Sequence, residues 1–189
     1  MEITAQMVSR LREETGAGMM ECKNALKETG GDSERARDLL RAKGKAGAEK
    51  RAGRQAADGV VVAHEGAAAT ALLELNSETD FVARNEEFRG LAARLARLAA
   101  ESPATTTEEL LAATIDGQTA RHRVEAVLSK LRENLVVRRF ARYDLGTDRV
   151  VGTYIHAVTN KIGALIEMTG DPLSGAHRDL ARGLAMHIA

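Results

Sequence analysis

"ALLELNSETDFVARNEEFRG", residues 71 to 90, changes its periodicity halfway along. Residues 71 to 75 read as a short strand, and from Asn85 to about residue 99 the apolar positions recur at helical spacing. Working outward, residues 60 to 64 form an earlier strand, joined to the first through Glu65, Gly66 and an alanine-rich turn. The same order returns near the end of the chain, with strands at 150 to 158 and 162 to 168 and a helix at 176 to 188. "ALLEL" at 71 to 75 matches "ALIEM" at 164 to 168, and Arg89, Leu91, Ala92, Leu95 and Ala96 match Arg178, Leu180, Ala181, Leu184 and Ala185 at identical spacing. Both units are β-β-α.

The copies differ at the strand-to-helix junction. Fifteen steps separate Glu74 from Arg89 and eleven separate Glu167 from Arg178, so the first copy carries four more residues, in the stretch that holds Thr79, Asp80, Phe81 and Val82. A loop longer than its twin is a candidate for function. The second copy has Asp171, Pro172, Leu173, Ser174 and Gly175 there and no aromatic ring. The residues alone leave two readings of Phe81 open: packing over Leu75 or Phe88, or reservation for a partner. Asp80 likewise either caps the next helix or serves the loop. Between the copies lie two helical stretches, at 105 to 112 and 121 to 131, then "NLVVRRFARYD" at 134 to 144, a strand whose alternation Arg138 and Arg139 interrupt. It completes the first unit, and nothing corresponds to it in the second.

The first forty residues read as three short helices. Thr4 caps the first, which carries Met7, Val8 and Leu11 and stops at Gly16 and Gly18. The second runs from Met19 or Met20 through Leu26, and Gly30-Gly31 breaks it. Asp32 or Ser33 caps the third, whose apolar side is Ala36, Leu39 and Leu40. The paired thioethers of Met19 and Met20 suit either a core or a protein-binding surface. Residues 41 to 58 are small and basic without an apolar face, as in a solvated helix or linker. The fold class is therefore α+β: a three-helix module at 1–40, a basic helical linker at 41–58, a first core subdomain at 59–146 and an incomplete second one at 147–189.

The 189 residues carry 27 basic and 27 acidic side chains, so no net charge draws the chain toward nucleic acid or anionic lipid. One cysteine excludes an internal disulfide and a thiolate metal cage. No segment approaches the ~20 apolar residues of a membrane span, and the start has no leader-like pattern. "KGKAG" at 43 to 47 lacks the Ser/Thr and the preceding strand of a phosphate loop, and His64, His122, His156, His177 and His187 show no metal-ligand spacing. No acid, base, nucleophile or metal set assembles, so the chain is expected not to be an enzyme and to need no cofactor.

At this point "LREETGAGMMECKNALKETGGD" (11 to 32), "ELNSETDFVARNEEF" (74 to 88), "RENLVVRRF" (132 to 140) and "YIHAVTNKIGALIEM" (154 to 168) together resemble the elongation factor Ts family, along essentially the whole chain. The resemblance implies that the first forty residues are a module like a ubiquitin-associated domain. It implies a cytoplasmic exchange factor that binds elongation factor Tu, with GDP or nucleotide-free, and promotes GDP release. Arg12, Met19, Met20 and His156 match partner-binding positions, while Thr79, Asp80, Phe81 and Val82 match the loop that disturbs the partner's magnesium and phosphate site. Two departures stand out. Ala157, Val158, Thr159 and Asn160 replace the family's glycine-rich turn after the histidine, and the helical hairpin and final strand-bearing stretch that usually follow are missing, as in a truncated chain. A homodimer stays open. The alternatives are a ubiquitin-associated-like binding module without exchange activity, and a ribonucleoprotein component using Lys43, Lys45, Lys50, Arg51 and Arg54, which the zero net charge and few aromatics disfavour.

Overall fold

Thr4 Oγ1 accepts the Met7 N–H at 3.3 Å and starts α1 (Ala5–Thr15). Gly16 stops it at φ 69°, its N–H donating to Arg12 O at 2.8 Å, a left-handed cap that carries no Cβ penalty in glycine. In this computed structural model, which describes residues 3–170 and 173–189 and only the backbone of 45, 46 and 48–52, α2 (Met19–Glu28) follows. The chain then turns at Gly30-Gly31 into α3 (Ser33–Ala52), where Asp32 Oδ1 accepts the Arg35 N–H at 3.1 Å. Val8, Leu11, Cys22, Ala25, Leu26 and Ala36 form the core of the three helices, with Leu39 and Leu40 at its edge.

The basic stretch is thus helix through residue 52 and continues α3 without a break. Alanine, lysine and arginine are good helix formers, and two glycines costing about 1 kcal/mol each do not outweigh them. Lys43 pairs with Glu28 at 2.7 Å, whereas the side chains of Lys45, Lys50 and Arg51 lie outside the described residues. The chain divides into two compact units, Met1–Arg54 with Glu125–Asn134, and Gln55–Val124 with Leu135–Ala189. This division differs from the four-part expectation: the basic helix goes with the first unit, and both β-β-α copies fall in the second.

In the second unit, β1 (Asp58–Glu65) pairs antiparallel with β2 (Ala69–Ser77), and β2 pairs on its other edge with β5 (Val136–Asp144). Between β2 and β5 run α4 (Asp80–Ala83), α5 (Glu86–Glu101), α6 (Thr107–Ala112), β3 (Thr114–Ile115), β4 (Gln118–Thr119) and α7 (Ala120–Leu131). Phe88, Leu91, Leu95 and Ala96 of α5 are buried with Leu73 and Leu75 of β2. The pairing steps from Glu74↔Arg139 to Leu75↔Val137, which leaves Arg138 as an extra residue in a β-bulge. The interrupted alternation is that bulge. The β3–β4 hairpin was not expected, although its Asp116-Gly117 turn, at φ 50° and 77°, is a strong hairpin signal.

The second copy is a two-stranded sheet of β6 (Arg149–Ile155) and β7 (Gly163–Thr169), with α8 (Gly175–Ile188) against both. Ile166 pairs with Gly152 where its counterpart Leu73 pairs with Val62. A Cβ on Gly152 would collide with the Ala181–Arg182 peptide, with Ala181 O at 2.7 Å, so glycine is what lets α8 lie directly on β6. Ala181 and Ala185 are buried, but Leu180 is 51% exposed while its counterpart Leu91 is 1% exposed. Strand β6 ends three residues short of the expected 158, because the Asn160 N–H donates to His156 O at 2.8 Å and Asn160 sits at φ 52°. Asp171 and Pro172 lie outside the described residues. No described helix is long and apolar enough to cross a membrane.

Candidate functional site

The turn after β2 is built by its own polar side chains. Ser77, fully buried, donates its hydroxyl to Thr79 O at 3.0 Å, and Thr79 Oγ1 accepts the Val82 N–H at 3.4 Å to cap the one-turn helix α4. Asn85 then caps α5, its Oδ1 accepting from Glu87 N at 2.8 Å and Phe88 N at 3.3 Å. Arg89 Nε donates to Ala83 O at 3.2 Å and ties the two helices together. Ala83 faces inward and is buried, and Phe81, about 200° around a helix from it, points the other way. Phe81 is 84% exposed.

Of the four residues singled out in this turn, Thr79 is exposed and Val82 half-buried. Asp80 is half-buried and its Oδ2 accepts from Arg84 Nη2 at 2.9 Å. Its negative charge is therefore partly compensated within the turn. Sequence reasoning passed over Arg84, although the spacing of four residues along a helix is the signal for such a pair.

His156, in the same compact unit, opens the turn between β6 and β7 and is half-buried. Its Nδ1 lies 3.1 Å from Thr159 Oγ1, which also accepts the Lys161 N–H at 3.3 Å. Val158 stands 86% exposed at the tip. Lys161 Nζ donates to Asp58 Oδ2 at 2.8 Å. That bond, offset by partial burial and assisted by the Gly59 N–H, holds the Asp58 carboxyl below the usual carboxylate range. The pair joins residues a hundred positions apart, and spacing alone carried no sign of it.

Arg12, Met19 and Met20 belong to the other compact unit, and all three are exposed. Met19 and Met20 open α2, where Glu21 Oε2 accepts from Gly18 N at 2.9 Å and from Arg132 Nη2 at 2.7 Å. The core of that unit is complete without the two thioethers. Nearby, Glu14 is held below the usual carboxylate range by hydrogen bonds from Arg37 and then Arg10. Among the described residues, no group of three or more His, Cys, Asp or Glu is placed to hold a metal ion.

The sequence compares closely with one set of proteins. The family model described as elongation factor TS matches residues 78–189. A protein of Clostridium perfringens strain SM101 named elongation factor Ts is 45% identical over 190 residues, covering 99% of this chain and 62% of that protein. One of the same name from Nitrosospira multiformis is 47% identical over 193 residues, covering 100% of this chain and 61% of the relative. A third, from Xanthomonas campestris pv. campestris, is 45% identical and 62% covered. The chain thus spans about 62% of the length of the curated relatives it matches. With the model covering more than half of its residues, including the turn that exposes Phe81, the chain belongs to the elongation factor Ts family.

Proposed function

We propose that this chain binds elongation factor Tu in the cytoplasm and accelerates release of its GDP, without turnover chemistry of its own. The carrying observation is the Phe81 ring, left in solvent by a turn whose every cap holds it there. Such a ring gains most by entering an apolar cleft of another molecule. Exchange requires a factor that binds the nucleotide-free partner better than the GDP form, and the weakening is reciprocal. A thousandfold effect needs about 4 kcal/mol of coupling. Burying one phenylalanine supplies at most about 3 kcal/mol, part of it spent in opening the cleft. Further contacts are therefore required, and exposed Arg12, Met19 and Met20, together with His156, are the residues that supply them. In this reading Asp80 brings its carboxylate toward the partner's magnesium and phosphate groups, exchanging Arg84 for a stronger cation.

Release of fluorescent GDP from elongation factor Tu tests the reading. The wild-type chain is expected to accelerate release, and Phe81→Ala to lower the limiting rate by about tenfold or more, the equivalent of ~1.4 kcal/mol or more of lost ring burial. Asp80→Ala is expected to lower the limiting rate as well. Acceleration that survives Phe81→Ala would overturn the wedge. Binding without acceleration, lost with Met19→Ser and Met20→Ser, would instead identify a binding module that lacks exchange activity.

A further inference from the structure

Asp58 opens β1 directly across from Ser77, the last residue of β2 before the turn that presents Phe81. Its carboxylate nevertheless reaches a different hairpin, pairing with Lys161 at 2.8 Å. Two more ties join the same places. The Val61 N–H donates to Asn160 O at 2.6 Å, and Gly163 lies so close to β1 and β2 that a Cβ there would meet Val61 Cγ1 at 2.8 Å and Leu72 Cδ1 at 3.2 Å. Inside the second turn, Thr159 Oγ1 receives the Lys161 N–H and also meets the His156 ring. The residue anchored by the ion pair is thus linked through one hydroxyl to the imidazole. On the other side, the Arg84 guanidinium that pairs with Asp80 adds its positive field at Asp58. Alternating charges, Asp80, Arg84, Asp58 and Lys161, run from one turn to the other.

We propose that Asp58 and Lys161 are positioning residues, a clamp that sets the turn at 156–162 against the turn at 79–82 so that both meet the GTPase already ordered. The inference rests on the exchange reading above. A turn that must be ordered on binding weakens every bound state alike, so it raises the factor concentration needed without changing the rate at saturation. Loss of the wedge does the reverse.

Release of GDP is therefore measured as a function of factor concentration for wild type, Asp58→Asn, Lys161→Met and Lys161→Arg. Amide hydrogen exchange is followed in the same proteins. The clamp predicts a half-saturating concentration raised about fivefold in Asp58→Asn and Lys161→Met, with the limiting rate within about twofold of wild type. Lys161→Arg, which keeps a cation, is expected to restore wild-type behaviour. Amides at 156–162, and that of Val61 whose N–H is bonded to Asn160 O, should exchange faster in the two disrupted variants, while those of β2 and β5 keep their protection. Wild-type concentration dependence and unchanged exchange at 156–162 would overturn the clamp, as would a limiting rate that falls as in Phe81→Ala. If the wild-type chain fails to accelerate GDP release, the exchange reading falls instead. Hydrogen exchange then decides the clamp alone: faster exchange at 156–162 upholds it and unchanged exchange removes it.

Discussion

Phe81 and Phe88 stand seven residues apart and meet opposite fates, one 84% exposed and the other fully buried. Phe88 follows the Asn85 cap on the inward face of α5, and Phe81 sits on the outward side of the single turn that Thr79 starts. Truncating Phe88 to alanine should cost about 3–5 kcal/mol of stability, while the same change at Phe81 should stay within about 0.5 kcal/mol, as read from urea unfolding midpoints. A destabilising Phe81→Ala would mean that the ring packs at home. The strand-then-helix pattern located both rings in the sequence and could not orient them. The orientation of Phe81 depends on α4, whose four residues are too few to show a period.

At the scale of elements, α8 rests on β6 through Gly152, where backbone meets backbone. Gly152→Ala should cost about 1–3 kcal/mol, because the Ala181–Arg182 peptide has no side-chain end that can swing aside. Thermal unfolding would show it, and a neutral substitution would mean that α8 shifts freely on the strand. The ion pair between β1 and the turn at 156–162 has a pH signature with a definite sign. Lys161, the Gly59 N–H and Arg84 all lower the folded-state pKa of Asp58. Its contribution to stability is therefore present above the ordinary carboxylate range and fades as the pH falls through the lowered folded value. The stability gap between wild type and Asp58→Asn should be open at neutral pH and close in acid. Caps such as Thr4 and Asp32 were legible in the sequence because each acts within four residues, whereas Asn85 was read only as the start of α5 and the structure makes it the cap. The attachment of the turn at 156–162 was not legible, since it runs through Val61 and Asp58 far away in the chain.

At the scale of the molecule, the two β-β-α copies share a sequence pattern and differ in what covers them. Leu95 is fully buried, whereas its counterpart Leu184 is 38% exposed. Leu95→Ala should cost about 2–5 kcal/mol and Leu184→Ala distinctly less, a difference that chemical denaturation of the two variants would reveal. The repeat itself could be read from spacing. Burial could not, because the first copy gains its third strand, β5, only after the inserted helices have returned the chain to β2. In the other compact unit, Cys22 is the chain's one cysteine and lies wholly inside the three-helix core, its sulfur 3.8 Å from Ala17 O. A thiol-directed dye can reach that sulfur only when the helices part. The rate of labelling is therefore a built-in clock for breathing of the amino-terminal bundle, and it can be read without introducing any new handle.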